Sequence, residues 1–201
     1  MITLGLTGSI GMGKSTVSNM FKEKNIPVID ADQIVHDLYN QAETAATIEQ
    51  HFPGSTDQIS GCVDRQKLSK LVVGQKEEIE KLQNLVHPLV AREKAAMLER
   101  YMQQGEKLVV VDVPLLFETK GDASMTATLV VSAGAETQRS RVLVRPNMTE
   151  QKFEQIKKLQ MSDEEKRRRA TYVISTDCTL EETNTEVTKL ILKLTGDATQ
   201  L

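Results

Sequence analysis

A chain of 201 residues can bury one sizeable core and still carry an attached lobe. It is 39% hydrophobic and 26% charged, which suits a globular protein. A net charge near −3 and only 3% aromatic residues offer nucleic acid neither a basic field nor a stacking platform, so an anionic ligand must be held by local charges.

In chain order, Ile2, Leu4 and Leu6 alternate up to Thr7-Gly8 and predict a first strand. No positively charged leader precedes it, so no secretory signal is expected. Residues 14–24 carry Val17, Met20 and Phe21 at helical spacing, and "IPVID" at 26–30 reads as a short second strand. Residues 33–105 show helical patterns without a buried strand. The clearest, at 88–102, is amphipathic through Val90, Ala91, Met97, Leu98 and Tyr101. Three nearly continuous apolar runs follow at 107–113, 127–133 and 171–176, as in strands of a parallel sheet buried on both faces. Between the last two, residues 141–169 are polar and rich in Lys and Arg and predict a helical hairpin. Val187, Leu190, Ile191 and Leu194 mark a final helix. The longest apolar run, 108–117, contains Asp112 and Pro114 and is too short to span a bilayer, so no membrane partner is expected.

This alternation predicts an α/β fold on a five-stranded parallel sheet. Residues 1–32, 106–140 and 170–201 form the core, 33–105 an inserted helical domain, and 141–169 a lid. Cys62 and Cys178 lie far apart, outside any metal-spaced cluster, and read as reduced thiols of a cytoplasmic protein. The histidines His36, His51 and His87 show no metal-ligand spacing.

The segment "GSIGMGKS", Gly8–Ser15, fits G-x-x-x-x-G-K-[ST] between a strand and a helix, the setting in which this motif cradles phosphates. Backbone N–H groups of Gly11, Met12, Gly13, Lys14, Ser15 and Thr16 can converge on phosphate oxygens beside a helix N-terminus. The Lys14 ammonium can reach the β- and γ-phosphates, and the Ser15 hydroxyl suits Mg²⁺. Asp112 ends an apolar strand on the side where open α/β sheets bind ligands, and is a candidate to orient Mg²⁺ directly or through water. No N-K-x-D guanine-reading motif is present, which disfavours a GTPase, and an ATP-driven motor would need further sensor motifs. A small-molecule kinase, by contrast, needs an acceptor lobe and a cationic lid. Arg141 and Arg145, four apart on one helix face, could grip ATP phosphates, whereas Arg167, Arg168 and Arg169 read as a solvated helix face. Pro114 breaks the third strand, placing Leu115, Leu116 and Phe117 either in a loop near the acceptor or in the core.

Several stretches in fixed order are similar to dephospho-CoA kinases: "LTGSIGMGKSTV", "VIDADQIVHDLY", "VDRQKL", "LVHPLV", "VDVPLLFE" and "QRSRVLVR", then Gln160 and "YVIS". The resemblance spans nearly the whole chain, and the combination of DAD, HP and PLLFE is its specific part. It implies an adenylate-kinase-like core, ATP as phosphoryl donor and dephospho-CoA as acceptor, phosphorylated at the ribose 3′-hydroxyl. It also implies that Asp32, the second aspartate of DAD, lies by that hydroxyl while Asp30 stays structural, and that Arg141 and Arg145 serve the lid or the adenine side. Arg65 and His87 fall in motifs of the acceptor domain. Taken by themselves, Arg65 could equally pair with Asp64, His87 cap a helix beginning at Pro88, and Glu118 either bond the acceptor or cap a loop. The chain departs from the family pattern at Ser9, at Met12 and along 171–178, where an Asp, an Asn and a Gly are missing. A monomer or weak homo-oligomer is expected.

Overall fold

The computed structural model describes residues 1–196. Five strands, β1 (Ile2–Thr7), β2 (Val28–Asp30), β3 (Leu108–Asp112), β4 (Ala127–Ser132) and β5 (Tyr172–Ser175), form one parallel sheet in the order β2-β3-β1-β4-β5. The apolar runs become strands because helices cover both faces: every residue of β3 and β4 is buried. After β1 the chain builds outward to β2, returns to β3 beside β1, and then crosses to β4 on the far side. Such a reversal opens a crevice at the C-terminal ends of the central strands, where open α/β sheets take ligands. Thr7 and Asp112 mark those ends.

Helices α1 (Lys14–Glu23) and α9 (Leu180–Thr195) pack together on one face. Val17 and Phe21 from α1 and Val187, Leu190 and Ile191 from α9 meet Leu4, Leu6, Val110, Leu129, Val131 and Ile174 in the main core. At about 25 cal/mol per Å² of apolar surface, side chains of this size each contribute about 1.5–3 kcal/mol on burial. The start of α9 is fixed by a reciprocal capping box between Thr179 and Glu182.

The chain divides into two compact units, one of Met1–Ile29 with the chain from Tyr101 on, the other Asp30–Arg100. The regular elements of the second unit are helical: α2 (Ala31–Tyr39), α3 (Ala42–His51), α4 (Arg65–Val72) and α5 (Lys76–Gln103). Its own core gathers Tyr39, Ala45, Ile48, Phe52, Val63, Leu68, Val72 and Val86. Helix α5 corrects the sequence expectation of a start at Pro88. It begins at Lys76 and runs through the proline. An interior proline costs about 3 kcal/mol, but Leu82 and Leu85 before it and Val90 after it pack on the same core, and that burial offsets the cost.

In the first unit, α6 (Ala135–Leu143), α7 (Glu150–Leu159) and α8 (Asp163–Arg169) lie between β4 and β5. Helix α6 ends before Arg145, contrary to the expectation that Arg141 and Arg145 share a helical face. Pro146 disfavours helical geometry at the residue before it. No described helix is long and apolar enough to cross a membrane.

Candidate active site

The loop from Gly8 to Ser15 joins β1 to α1 and lines a cavity of about 550 Å³. Two glycines make its path possible. Gly13, at φ +88°, is the N-cap of α1, and Gly11, at φ +79°, sits where a Cβ would fall 2.5 Å from Val142 Cγ2. The loop therefore closes onto a helix N-terminus with its backbone packed against α6, an arrangement suited to phosphate. Lys14 and Asp112 meet here: Lys14 Nζ lies 2.5 Å from Asp112 Oδ1, with the aspartate side chain only 4% exposed. Arg141 and Arg145 line the same cavity although only the first is helical. The sequence candidates Gly11–Thr16, Asp112, Arg141 and Arg145 are thus brought together in one unit.

Side chains from distant positions brace the loop. Ile10 N–H donates to Gln160 Oε1 at 3.0 Å, and Gln138 Nε2 donates to Ile10 O at 2.8 Å. Thr176 Oγ1 donates to Met12 O at 2.9 Å, while Arg141 donates to Thr176 Oγ1 at 2.9 Å and to Thr176 O at 2.7 Å. Met12 also contributes more than backbone, since its buried sulfur accepts Ala133 N–H at 3.0 Å. Thr176 carries no motif signal of its own, and Gln138 was visible only as the first residue of the family-like stretch "QRSRVLVR". Gln160 was visible only through the family resemblance.

Past β3, the apolar residues behind Pro114 divide. Leu116 and Phe117 are core, whereas Leu115 is 39% exposed. Glu118 Oε1 accepts the Met161 N–H at 2.8 Å and lies 2.9 Å from Lys166 Nζ. Lys166 is wholly buried and also reaches Pro114 O at 3.4 Å. Burial pushes the Glu118 carboxyl up, but Lys166 and the Met161 N–H outweigh it and hold the group below the usual carboxylate range. Glu118 thus ties the loop after β3 to the α7–α8 junction. The triple-arginine run is also less uniform than a solvated face: Arg168 pairs with Glu165, and Arg169 pairs with Asp122 at 3.0 Å over the Phe117 ring.

In the helical unit, the two aspartates of "DAD" part company. Asp30 is the N-cap of α2, its Oδ1 accepting the N–H groups of Asp32 at 3.0 Å and Gln33 at 3.1 Å. Asp32 stands in the first turn with its side chain exposed. Likewise Asp64 caps α4 through Gln66 and Lys67, and its ion pair, at 3.7 Å, is with Lys67 rather than Arg65. Arg65 is exposed at the first position of α4, where it acts electrostatically on Tyr39. His87 is exposed on the interior of α5 and starts no helix.

Comparison with known proteins fits this arrangement. The dephospho-CoA kinase family model matches residues 2–182. Dephospho-CoA kinase of Mesorhizobium japonicum is 46% identical over 196 residues, 98% of each chain, and that of Bartonella henselae is 44% identical over 96% of this chain and 98% of its own. A solved structure from Thermus thermophilus superposes with a TM-score of 0.82 at 31% identity, over 97% of this chain and 98% of the other. Shikimate kinase from Bacteroides thetaiotaomicron, at 16% identity and a TM-score of 0.51 over 96% and 99% of the two chains, shares the fold alone. With a phosphate loop on a parallel sheet and full-length similarity of this degree, the chain belongs to the dephospho-CoA kinase family.

Proposed function

We propose that this chain transfers the terminal phosphoryl group of ATP to the ribose 3′-hydroxyl of dephospho-CoA, giving coenzyme A and ADP. The observation that carries the reading is the glycine loop on the α1 N-terminus, with Lys14 and Arg141 on one cavity, in a chain of this family. The acceptor oxygen forms a bond to the γ-phosphorus as the bond to the β,γ-bridging oxygen breaks, and ADP departs. The hydroxyl proton goes to Asp32, which orients the acceptor. In a loose transition state the proton leaves late, so positioning counts for as much as basicity. Lys14 exchanges Asp112 for phosphate oxygens, and Arg141 with Arg145 offsets the charge on the transferring group. Ser15 and Asp112 are hard oxygen donors suited to hold Mg²⁺, directly or through water. Bound there, the ion neutralises phosphate charge. Arg65, His87 and Leu115 are proposed to contact the acceptor. Glu118, engaged by Lys166 and Met161, would reach it only through its placement of the loop.

The test is an ADP-release assay with ATP across dephospho-CoA, AMP and pantetheine phosphate. Turnover confined to dephospho-CoA is expected. Preference for AMP would make this a nucleotide kinase, and ATP binding without turnover of any acceptor would make it a binding module.

A further inference from the structure

We infer that Thr176 is a positioning residue for phosphoryl transfer, its hydroxyl joining the nucleotide loop to Arg141 and fixing that guanidinium on the cavity. This rests on the reading of Arg141 as a phosphate-side cation. Thr176 follows β5, is 5% exposed, and lies where the chain departs from its family's pattern. Its backbone N–H donates to Ser132 O at 2.8 Å, which anchors it to the end of β4.

A threonine hydroxyl has one proton to give and lone pairs to accept with. Here the proton goes to Met12 O at 2.9 Å, so the oxygen is left to accept from Arg141 Nη1 at 2.9 Å. The direction of the relay is fixed, since a guanidinium can only donate and a carbonyl can only accept. Thr176 O accepts the second Arg141 nitrogen at 2.7 Å. One residue therefore holds both prongs of the arginine and one carbonyl of the phosphate loop.

The surroundings reinforce the brace. A Cβ on Gly13 would lie 3.1 Å from Thr176 Oγ1 and Cγ2, so the loop at the α1 N-cap is seated against this side chain. The next residue, Asp177, holds the start of the helix that carries Arg141. Its Oδ2 accepts Gly134 N–H at 3.0 Å and its Oδ1 accepts Thr137 Oγ1 at 2.5 Å. Helix α6 is gripped at its N-terminus and again at Arg141, both times by the same two-residue turn. A guanidinium placed this way loses little freedom when phosphate arrives.

Steady-state kinetics of the full chain test the inference with Thr176→Val, Thr176→Ser, Arg141→Ala and the double variant T176V/R141A. T176V, which keeps shape and drops the hydroxyl, is expected to lower kcat/KM for MgATP by about tenfold, the scale of a hydrogen bond to a charged group. T176S is expected within about twofold of the parent, and the double variant within about twofold of R141A alone. A merely structural threonine would instead give effects that multiply. Multiplying effects, or a T176V enzyme at parental rate beside an impaired R141A, would overturn the brace alone. Unaltered kinetics in R141A would overturn the reading of Arg141 and the brace together. If T176V does not fold by circular dichroism, Thr176→Ala removes the same hydroxyl and is judged by the same criteria.

Discussion

The two units of this chain secure their residues in different ways. On the sheet side, side-chain bonds to the phosphate loop span great sequence distances: 150 positions from Ile10 to Gln160, 128 from Ile10 to Gln138 and 164 from Met12 to Thr176. In the helical unit many of the carboxylates act locally. Asp30 and Asp64 cap the helices they precede, Asp57 holds Ile59 and Ser60, and Glu49 gathers Gly54, Ser55 and Thr56. Groups lining the loop cavity are thus set by tertiary bonds, whereas Asp32 and Arg65 stay exposed in the first turns of helices held by local aspartate caps.

The sharpest way to test that division is Asp32→Asn. The asparagine keeps the size and the α2 first turn, and Asp30 still caps the helix. If the helical unit supplies the acceptor-side carboxylate, kcat falls by about 10²–10⁴-fold. The Kd for ATP, measured by titration calorimetry, stays within about twofold. Parental turnover would remove Asp32 from the chemistry. Lys14→Met should act on the other side of the division. It should cost about 10²–10³-fold in kcat/KM for MgATP, the scale of one lost electrostatic donor, and ATP affinity should weaken too. Normal ATP affinity in that variant would mean that Lys14 belongs to Asp112 rather than to the nucleotide.

A third variant weighs tertiary bracing directly. Lys166 is fully buried against Glu118, so Lys166→Met leaves a carboxylate without its cation and should cost about 3–5 kcal/mol, read from the urea midpoint. Adding Glu118→Gln, which can still accept the Met161 N–H, should recover a substantial part. If the pair of changes simply adds, the ion pair is not what joins the loop after β3 to α8.

How far the sequence could be read follows the same division. Strand runs, the Gly8–Ser15 loop and Asp112 were legible because each is a local pattern with a local cause: buried apolar continuity, positive φ, a strand end. That Asp30 is structural was legible through the family resemblance, and the structure makes it the cap of α2. Thr176 and Lys166 were not legible, because their roles exist only once positions more than 40 residues apart are folded together, such as Thr176 with Met12. Lys166 sits in a run of charges that composition reads as solvated, and only the packing of α8 on β4 buries it. Helix α5 failed at Pro88 for a related reason: tertiary burial outweighed a strong local preference. At Arg145 the local rule won, and Pro146 ended the helix early.

The smallest expected effects come from acid, and they ask whether the two units lose stability together. Asp177 is held below its usual carboxylate range chiefly by the Thr137 hydroxyl, then by Gly134 N–H and the charge of Arg141. In the helical unit Glu49 is lowered chiefly by Gly54 N–H and then by the Thr56 hydroxyl, and Asp57 by Ser60 N–H and its hydroxyl. A folded value below the unfolded one means that the unfolded chain binds more protons at a given acid pH, so stability rises with pH there. Each contribution is whole above the unfolded values, about 3.9 for Asp and 4.3 for Glu, and drains as pH falls through the folded ones. Urea midpoints should therefore be level from pH 7 to about 5 and fall below that. Asp177→Asn and Glu49→Gln should each lower the plateau slightly and flatten the acid slope. With ATP-binding and whole-chain melting followed on one sample, Asp177→Asn should weaken ATP binding as well, because it loosens the start of α6, while Glu49→Gln should leave ATP binding alone. Equal loss of ATP binding in both variants would mean that local bonds in the helical unit and tertiary bonds around the phosphate loop fail as one, and the distinction between the two regions would not hold.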